Sequence, residues 1–313
     1  MRCDLHVHSK CSGAVNLPVL RRFGRECYSE PRAVYEQARR RGMDLVTLTD
    51  HDTVEGALEI AALPGTFVGE ELTLDLPGGR ELHLGVWGLD ERHHLALQAR
   101  RRDPEALFAY LAEERLPACL NHPFSAVTGR REVADLDLAL ARLELVEAQN
   151  GMMPAATNGY ARRAGEEAGL RTVGGSDAHT LGSVALSWTE VQGARTASDF
   201  LEGLRRGWCL PRGDSTSYAR LTRDVIAIFA GGYRENALLA PRSADHALRL
   251  AIMLAAFPIL ALIPLVTAVI HVKELAFASR CFDAYQRASR RAGRRGSLLG
   301  GDLGAGLALQ GGR

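Results

Sequence analysis

The chain has 313 residues, 46% of them hydrophobic, and its 38 basic and 37 acidic side chains leave a formal net charge of +1. That length and apolar content suffice for one large soluble domain with an appendage, and so small a net charge gives no overall attraction to nucleic acid. The six cysteines show no CxxC spacing and no secretory signal precedes them, so we expect reduced thiols in the cytoplasm rather than a disulfide framework.

The first predicted strand ends in two histidines that are one residue apart, His6 and His8. Side chains alternate between the two faces of a strand, so both imidazoles point the same way and can bind one metal ion. Because a lone HxH pair arises by chance, the later histidines decide whether this pair belongs to a metal site.

The following units repeat one order of elements, in which a helix precedes a buried strand and the strand ends in a polar cluster. This order occurs three times, with helices predicted over 31–41, 103–115 and 158–168, strands over 44–49, 116–120 and 171–175, and polar residues at His51, at His122 and at Asp177 with His179. Parallel strands in barrels present functional side chains at their carboxyl ends, so we expect these clusters to meet.

Three further candidates lie between these units. Glu71 follows the apolar stretch 66–69 and offers a carboxylate that can bridge two ions, and His83 lies in another short polar cluster. A strand predicted over 143–148 leads to Asn150, which we expect to face the site and to bind substrate or to support the ligands.

The candidate metal ligands are eight imidazole and carboxylate side chains: His6, His8, His51, Glu71, His83, His122, Asp177 and His179. Imidazole and carboxylate ligands without thiolate suit zinc, manganese or iron. Eight ligands exceed what one ion with three or four protein ligands needs, so we expect two or three divalent ions. The other four histidines are expected to be ordinary surface or helix residues: His93, His94, His246 and His271.

In this order, the motifs HxHS, T-D-H-D, an isolated Glu, an isolated His, N-H-P and S-D-A-H resemble the PHP (polymerase and histidinol phosphatase) family of metal-dependent phosphoesterases. The resemblance covers roughly residues 1–190. The stretches 25–28, 41–44 and 49–52 are most similar to stand-alone members associated with glycosyltransferase functions. The resemblance implies an α/β fold, a distorted (β/α)7 TIM-like barrel, with the eight residues holding the ions at the carboxyl ends of the strands.

One position departs from the family pattern. Many members carry an Asp shortly after HxHS, whereas Gly13 follows Ser12 here. Either Glu26, Asp50 or Asp52 supplies the missing ligand, or that ion site is weak or empty.

The resemblance implies metal-assisted hydrolysis, in which a hydroxide held between metal ions attacks a phosphorus atom. The expected substrate is a small phosphomonoester, a nucleoside bisphosphate or the end of a short oligonucleotide. Long nucleic acid is not expected, because residues 1–215 carry no basic and aromatic groove. Arg130 and Arg131 are candidates for clamping a phosphate, with solvated loop arginines as the other interpretation.

Two other functions are weighed against this one. Amidohydrolases also begin with HxH on a barrel strand, but their binuclear members bridge the metals with a modified lysine, and no lysine lies between Lys10 and Lys273. The second is a degenerate module that binds metal or a protein partner without turnover, which Gly13 favours. The nearly complete ligand set favours the enzyme.

The pattern changes beyond residue 215. The apolar segment 251–272 is long enough to cross a bilayer, while Pro258 and Pro264 are equally consistent with two short helices packed on the barrel. We therefore expect a catalytic barrel over 1–215, a helical appendage over 216–292 and a disordered tail over 293–313. The catalytic domain is expected in the cytoplasm, with membrane association through 251–272 left open.

Overall fold

The structure is a computed structural model that describes residues 1–13, 24–129 and 131–300, and their side chains as far as Arg291. It is a mixed α/β fold with a helical C-terminal region. The strands are β1 (Arg2–Asp4), β2 (Leu45–Val46), β3 (Gly69–Leu76), β4 (Arg80–Trp87), β5 (Ala118–Leu120), β6 (Leu145–Asn150), β7 (Arg171–Gly175), β8 (Ser187–Val191) and β9 (Cys209–Gly213). The α-helices are α1 (Pro31–Arg40), α2 (Glu55–Glu59), α3 (Glu91–Arg100), α4 (Pro104–Glu113), α5 (Val133–Arg142), α6 (Ala155–Glu167), α7 (Ala197–Arg206), α8 (Tyr218–Leu239), α9 (Ala244–Ala255) and α10 (Ile263–Gly300).

The strands form two sheets, in the orders β2-β1-β8-β9 and β3-β4-β5-β6-β7, and neither sheet closes on itself within the described residues. Isolated bridges link them at both seams: Val46 with Thr66 and His51 with Glu71 on one side, and Val7 with Ala178 on the other. The expected barrel therefore takes the form of two open sheets in contact.

The connection between β3 and β4 explains why the five-stranded sheet is mixed rather than all parallel. The strands pair antiparallel from Gly69 with Trp87 to Leu76 with Arg80. The turn between them contains Gly78 and Gly79, with φ of 79° and 70°, a conformation that side chains with a Cβ rarely adopt. A tight turn reverses the chain at once, so this unit is a hairpin instead of a strand followed by a helix.

Both sheets contribute to one interior. A cluster of buried residues contains Leu5 beside β1, Trp87 at the end of β4, Leu145 in β6 and Val191 in β8. The indole Nε1 of Trp87 donates a hydrogen bond to the carbonyl of Leu5 at 3.0 Å. The shared interior fixes the carboxyl ends of the strands relative to one another.

The apolar segment predicted over 251–272 is divided at its prolines among the end of α9, a 3₁₀ helix (Phe257–Leu262) and the start of α10. The stretch Phe257–Arg291 is the one stretch in the described chain that is long and apolar enough to cross a membrane by length and composition, and the mean hydropathy of its most apolar 18-residue window is 1.9. Only 17% of its most apolar window is buried.

The second half of α10 packs against the larger core. Ala278, Phe282 and Tyr285 are buried in the same cluster as the residues of the five-stranded sheet. The backbone of α10 is helical as far as Gly300, and residues 301–313 lie outside the described chain, so the disordered tail over 293–313 stays a prediction. Extending a formed helix requires far less ordering than starting one, and Ala, Arg and Leu favour it.

Candidate metal centre

The eight candidate ligands lie together, six of them in segments that follow strands and two inside the hairpin of β3 and β4. His6 and His8 follow β1, His51 follows β2, Glu71 and His83 lie in β3 and β4, His122 follows β5, and Asp177 and His179 follow β7. Six of them line a cavity of about 150 Å³, and His6 and His8 lie beneath it, fully buried. The repeated order of helix, strand and polar cluster thus brings distant residues to one edge.

The carboxylate of Glu71 is the centre of this arrangement. Its Oε2 lies 3.2 Å from His6 Nε2, 3.4 Å from His8 Nε2 and 3.1 Å from His51 Nδ1. Its Oε1 lies 3.2 Å from His83 Nδ1 and 3.1 Å from His122 Nε2. A carboxylate whose two oxygens face separate groups of imidazoles is suited to bridge two cations.

Asp177 provides a second carboxylate on the same face. Its Oδ1 lies 3.5 Å from His6 Nε2 and 3.3 Å from His8 Nε2. His179, two residues on, stacks its ring on that of His8 with centroids 4.3 Å apart, and its Nδ1 faces the backbone carbonyl of Asp177 at 2.9 Å. The i, i+2 spacing of the last motif therefore brings both residues to the same side as the first motif.

The donor set fits divalent cations. Buried atoms without a hydrogen-bond partner in the described chain include His6 Nε2, His8 Nε2, Glu71 Oε2, His83 Nδ1 and His122 Nδ1. Potential ligand atoms come within 4.8 Å of one another in four groups: His8, His51 and His179; His6, His8 and Asp177; His6, Glu71 and His122; and His51, Glu71 and His83. Buried polar atoms are rarely left without partners, and oxygen and imidazole donors at this spacing suit divalent metal ions.

The charges of the ligands are strongly coupled. Burial disfavours a charge on His6, but the carboxylates of Glu71, Asp177 and Glu147 outweigh it and raise the pKa of this imidazole well above its usual value. Burial also opposes protonation of His83, yet Glu71 raises its pKa to about 9. Burial lowers the pKa of His179 to about 4. The cluster therefore holds protons that a divalent cation would displace.

Two buried residues of β6 support the ligands. Glu147 Oε1 lies 2.9 Å from His6 Nδ1, and its Oε2 accepts a hydrogen bond from the backbone N–H of His122. Asn150 donates from Nδ2 to Glu147 Oε2 at 2.9 Å and to Asp177 Oδ2 at 3.1 Å. A carboxylate behind a histidine fixes its ring orientation. The sequence analysis missed Glu147, although a charged residue inside an otherwise apolar strand is a usable signal.

Of the three candidates to replace the missing Asp, only Glu26 lies at the cavity. Its Oε2 is 3.3 Å from His51 Nε2, and burial raises its pKa to about 7. Asp50 accepts hydrogen bonds from Ser9 and Ser12, and Asp52 pairs with Arg101 at 3.1 Å. Those two carboxylates are engaged elsewhere.

The structure corrects two other expectations. His271, predicted to be an ordinary helix residue, lines the cavity from α10 together with Glu274. Arg131 is neither a phosphate clamp nor solvated, because its side chain turns inward and donates to the carbonyl of Pro123 and to Thr128 Oγ1. Arg130, the other predicted clamp, lies outside the described residues.

Backbone strain occurs at two of the ligands. His122 and Asp177 have positive φ values of 26° and 52°, which residues other than glycine rarely adopt. At Asp177, hydrogen bonds hold this conformation, since its N–H donates to the carbonyl of His6 at 2.6 Å and its Oδ2 accepts from Asn150. Such strain persists where the surroundings fix the residue firmly, commonly at functional sites.

Parts of the chain are similar to known proteins. A PHP-associated family model matches residues 156–209. An uncharacterized protein of Methanocaldococcus jannaschii is 34% identical over 121 residues, which cover 33% of this chain and 70% of that protein.

Among solved structures, PsfC from Pseudomonas syringae aligns with a TM-score of 0.53 and 20% identity, covering 73% of this chain and 98% of its own, and so shares the fold. A two-domain protein from Bacteroides vulgatus that contains a predicted PHP-like metal-dependent phosphoesterase aligns with a TM-score of 0.49 and 17% identity, covering 68% of this chain and 64% of its own.

Proposed function

Because the chain belongs to the PHP family, whose members are metal-dependent hydrolases, we propose that it hydrolyses phosphoesters with the help of divalent metal ions. The observation that carries this proposal is Glu71, whose two oxygens face five imidazoles at 3.1–3.4 Å in a buried site. Burying so many ionisable groups lowers the stability of a fold unless a cation compensates their charges. A role in metal binding therefore explains this arrangement better than a role in stability alone.

We propose two or three ions, of manganese, zinc or iron. One would be held by His6, Glu71 and His122, and another by His51, Glu71 and His83. A third position would use His8, with Asp177 or His179. When bound, such ions lower the pKa of a coordinated water and neutralise phosphoryl oxygens.

The protein's own residues orient and insulate the site. Glu147 fixes the ring of His6, and Asn150 fixes Asp177 and Glu147, so we assign Asn150 to positioning rather than to substrate contact. Glu26 supplies the carboxylate that Gly13 cannot, which favours turnover over a degenerate module. The reaction needs no covalent nucleophile from the chain.

The size of the cavity limits the substrate. About 150 Å³ suits a small phosphomonoester, or the terminal phosphate of a nucleoside bisphosphate or short oligonucleotide whose remainder lies outside. We do not propose long nucleic acid as a substrate. We also infer that the two sheets correspond to the distorted barrel of the family, an inference supported by the bridges at both seams.

The test combines metal analysis with turnover. Protein purified without added metal is assayed for bound metal and for phosphate release from p-nitrophenyl phosphate and from a nucleoside 3',5'-bisphosphate. We expect two or more ions per chain, and loss of both metal and turnover when His6→Ala and His8→Ala are combined. The matched control is His93→Ala in α3, whose side chain pairs with Asp90 and Glu114 and does not line the cavity. One ion or none, with no turnover after manganese or zinc is restored, would favour the degenerate module.

We propose that the cytoplasmic enzyme associates with membranes through its exposed apolar residues rather than by a simple span. Phe257, Ile259, Leu262, Leu265 and Val266 are each more than half exposed, and a patch of this extent is rare on soluble monomers. Arginines flank it and would favour anionic lipid. We expect co-sedimentation with anionic vesicles that Leu262→Asp combined with Leu265→Asp removes; equal sedimentation of both proteins would refute the proposal.

A further inference from the structure

Helix α10 brings two polar side chains to the wall of the metal cavity. His271 and Glu274 lie three residues apart, a spacing that puts both on one face of a helix. Both belong to the region beyond residue 215, outside the residues that carry the family motifs. The C-terminal region therefore contributes directly to the surroundings of the candidate centre.

Contacts on both sides of this pair hold α10 in place. Before it, the hydroxyl of Thr267 lies 2.7 Å from that of Thr222 in α8. After it, the ring of Phe282 packs edge to face on Phe124, with centroids 5.4 Å apart, and stacks on Tyr160 at 4.7 Å. These contacts fix the part of α10 that carries His271 and Glu274 relative to the core.

The carboxylate of Glu274 has one satisfied and one open oxygen. Oε2 accepts a hydrogen bond from the backbone N–H of Ala126 at 2.8 Å and another from Ser125 Oγ at 3.3 Å. Oε1 is buried and has no hydrogen-bond partner within the described chain, and the same is true of His271 Nδ1. Glu274 as a whole is only 8% exposed. A buried carboxylate oxygen without a donor is unfavourable, so a partner is expected from the cavity.

The other walls of the cavity do not supply that partner. No lysine or arginine of the described chain lines it. Much of the remaining lining is apolar, with Val127, Met152, Leu221 and Ile270 among its residues. Burial raises the pKa of Glu274 and the charges of His122 and Arg131 oppose this rise, but neither residue donates a hydrogen bond to Oε1. A ligand in the cavity would therefore meet both the candidate metal ligands and two open polar atoms of α10, Glu274 Oε1 and His271 Nδ1.

We propose that Glu274 and His271 form a subsite for the alcohol part of the phosphoester, and that it binds a hydrogen-bond donor, a hydroxyl or an ammonium group, close to the phosphate. The substrate class is then a small phosphomonoester of a polyol or an amino alcohol. This inference rests on the proposed phosphoesterase function.

The test compares three small phosphomonoesters: glycerol 3-phosphate, O-phosphoethanolamine and n-propyl phosphate, which lacks a donor on its alcohol. We expect kcat/KM for at least one of the first two to exceed that for n-propyl phosphate by about tenfold or more, the usual effect of a hydrogen bond to a charged group. Preference for glycerol 3-phosphate would identify a hydroxyl as the donor, and preference for O-phosphoethanolamine an ammonium group.

Glu274→Gln is the decisive variant because it preserves volume. The N–H of Ala126 keeps the glutamine oxygen at the position of Oε2, so the amide NH₂ turns into the cavity and replaces an acceptor by a donor. We expect the preference over n-propyl phosphate to fall by about tenfold, with the metal content unchanged. Glu113→Gln, on the exposed face of α4, is the matched control.

The outcomes are distinguishable. An unchanged preference in Glu274→Gln, or loss of bound metal from it, overturns the subsite while leaving the phosphoesterase intact. Wild-type protein that hydrolyses none of the three esters, nor p-nitrophenyl phosphate, overturns both.

Discussion

Glu70 and Glu71 are consecutive residues of β3, and the alternation of the strand sends their carboxylates to opposite faces. Glu70 Oε2 lies 2.7 Å from His94 Nδ1 on the outer face, whereas Glu71 faces the five imidazoles. We expect Glu71→Gln to weaken metal binding at least about tenfold, because both groups that contain it lose a charged ligand. Glu70→Gln, one residue away, is expected to keep the wild-type metal content. Equal metal content in the two variants would rule out the bridging role of Glu71.

Metal binding is expected to be tied to pH through His83. In the metal-free protein its pKa of about 9 exceeds the usual 6.5, because Glu71 outweighs the opposing effect of burial. The stabilisation from its proton is therefore complete below about pH 6.5 and lost as pH rises through about 9. His179, with a pKa of about 4, titrates below this window.

We accordingly expect the melting temperature of the metal-stripped protein to fall between pH 6.5 and 9. The increase in melting temperature on adding zinc or manganese should grow over the same range, since metal needs the neutral imidazole. Differential scanning calorimetry at several pH values measures both. A metal effect that is constant across the window, or one that persists unchanged in His83→Gln, would contradict this origin.

Residue identity and spacing were enough to predict side chains that the structure brings together, while their role as metal ligands stays a prediction. His6 with His8, and Asp177 with His179, are two residues apart. Side chains at that spacing lie on the same side of an extended chain, which can be read from the sequence. The sequence left Glu26 as one of three candidates to replace the missing Asp, because the segment around it shows no periodic pattern of apolar residues that would predict its orientation. His271 and Glu274 could not be predicted, since only the packing of α10 brings them to the cavity.

At the scale of elements, α10 depends on one aromatic side chain. Phe282 is buried among Phe124, Tyr160 and Tyr285. We expect Phe282→Ala to lower the free energy of unfolding by about 3–5 kcal/mol, the usual effect of deleting a buried ring. The control is Phe257→Ala, where the ring is 61% exposed and the expected change is within about 0.5 kcal/mol. Urea denaturation followed by circular dichroism compares them; equal changes would mean that α10 does not pack as described.

Some helices and buried strands followed from local pattern, whereas the strand predicted over 44–49 is limited to Leu45–Val46. β7 spans Arg171–Gly175 as predicted, and α1 begins at Pro31 and ends one residue before the predicted Arg41. The arrangement of the C-terminal apolar segment did not follow, because its prolines fit a kinked span and separate helices alike. Its division among α9, a 3₁₀ helix and α10 depends on contacts such as that of Tyr218 Oη with the carbonyl of Pro264 at 2.9 Å.

At the scale of the whole molecule, Asp4 of β1 links the first strand to the segment between β7 and β8. Its carboxylate accepts hydrogen bonds from the backbone N–H groups of His6, Ser176 and Ala185. We expect Asp4→Ala to lower the free energy of unfolding by roughly 3 kcal/mol, because it leaves several buried donors without an acceptor. Asp137→Ala, on the exposed face of α5, should change it by less than about 0.5 kcal/mol. A similar small loss in both variants, measured by urea denaturation, would show that Asp4 does not join the two segments.

The order and direction of the strands in the two sheets were harder to predict from the sequence than the single elements. The family resemblance implied a barrel, but pairing β3 antiparallel with β4, and β1 with β8, depends on turn geometry and on contacts between residues far apart in sequence. Short strands such as β2, with two residues, carry too little pattern to define their neighbours.

The central position of β1 has a consequence for the order in which the protein folds. β1 precedes the other described strands in the sequence, yet one of its two neighbours is β8, and Asp4 meets Ser176 across 172 residues of sequence. Contacts that close such long loops form late and slowly. Until β8 is made, β1 has one free edge beside His6 and His8, available for pairing with another unfinished chain. We therefore expect chains that are synthesised slowly and at high concentration to aggregate through β1. At that stage the candidate metal ligands from later segments are not yet present to stabilise this strand.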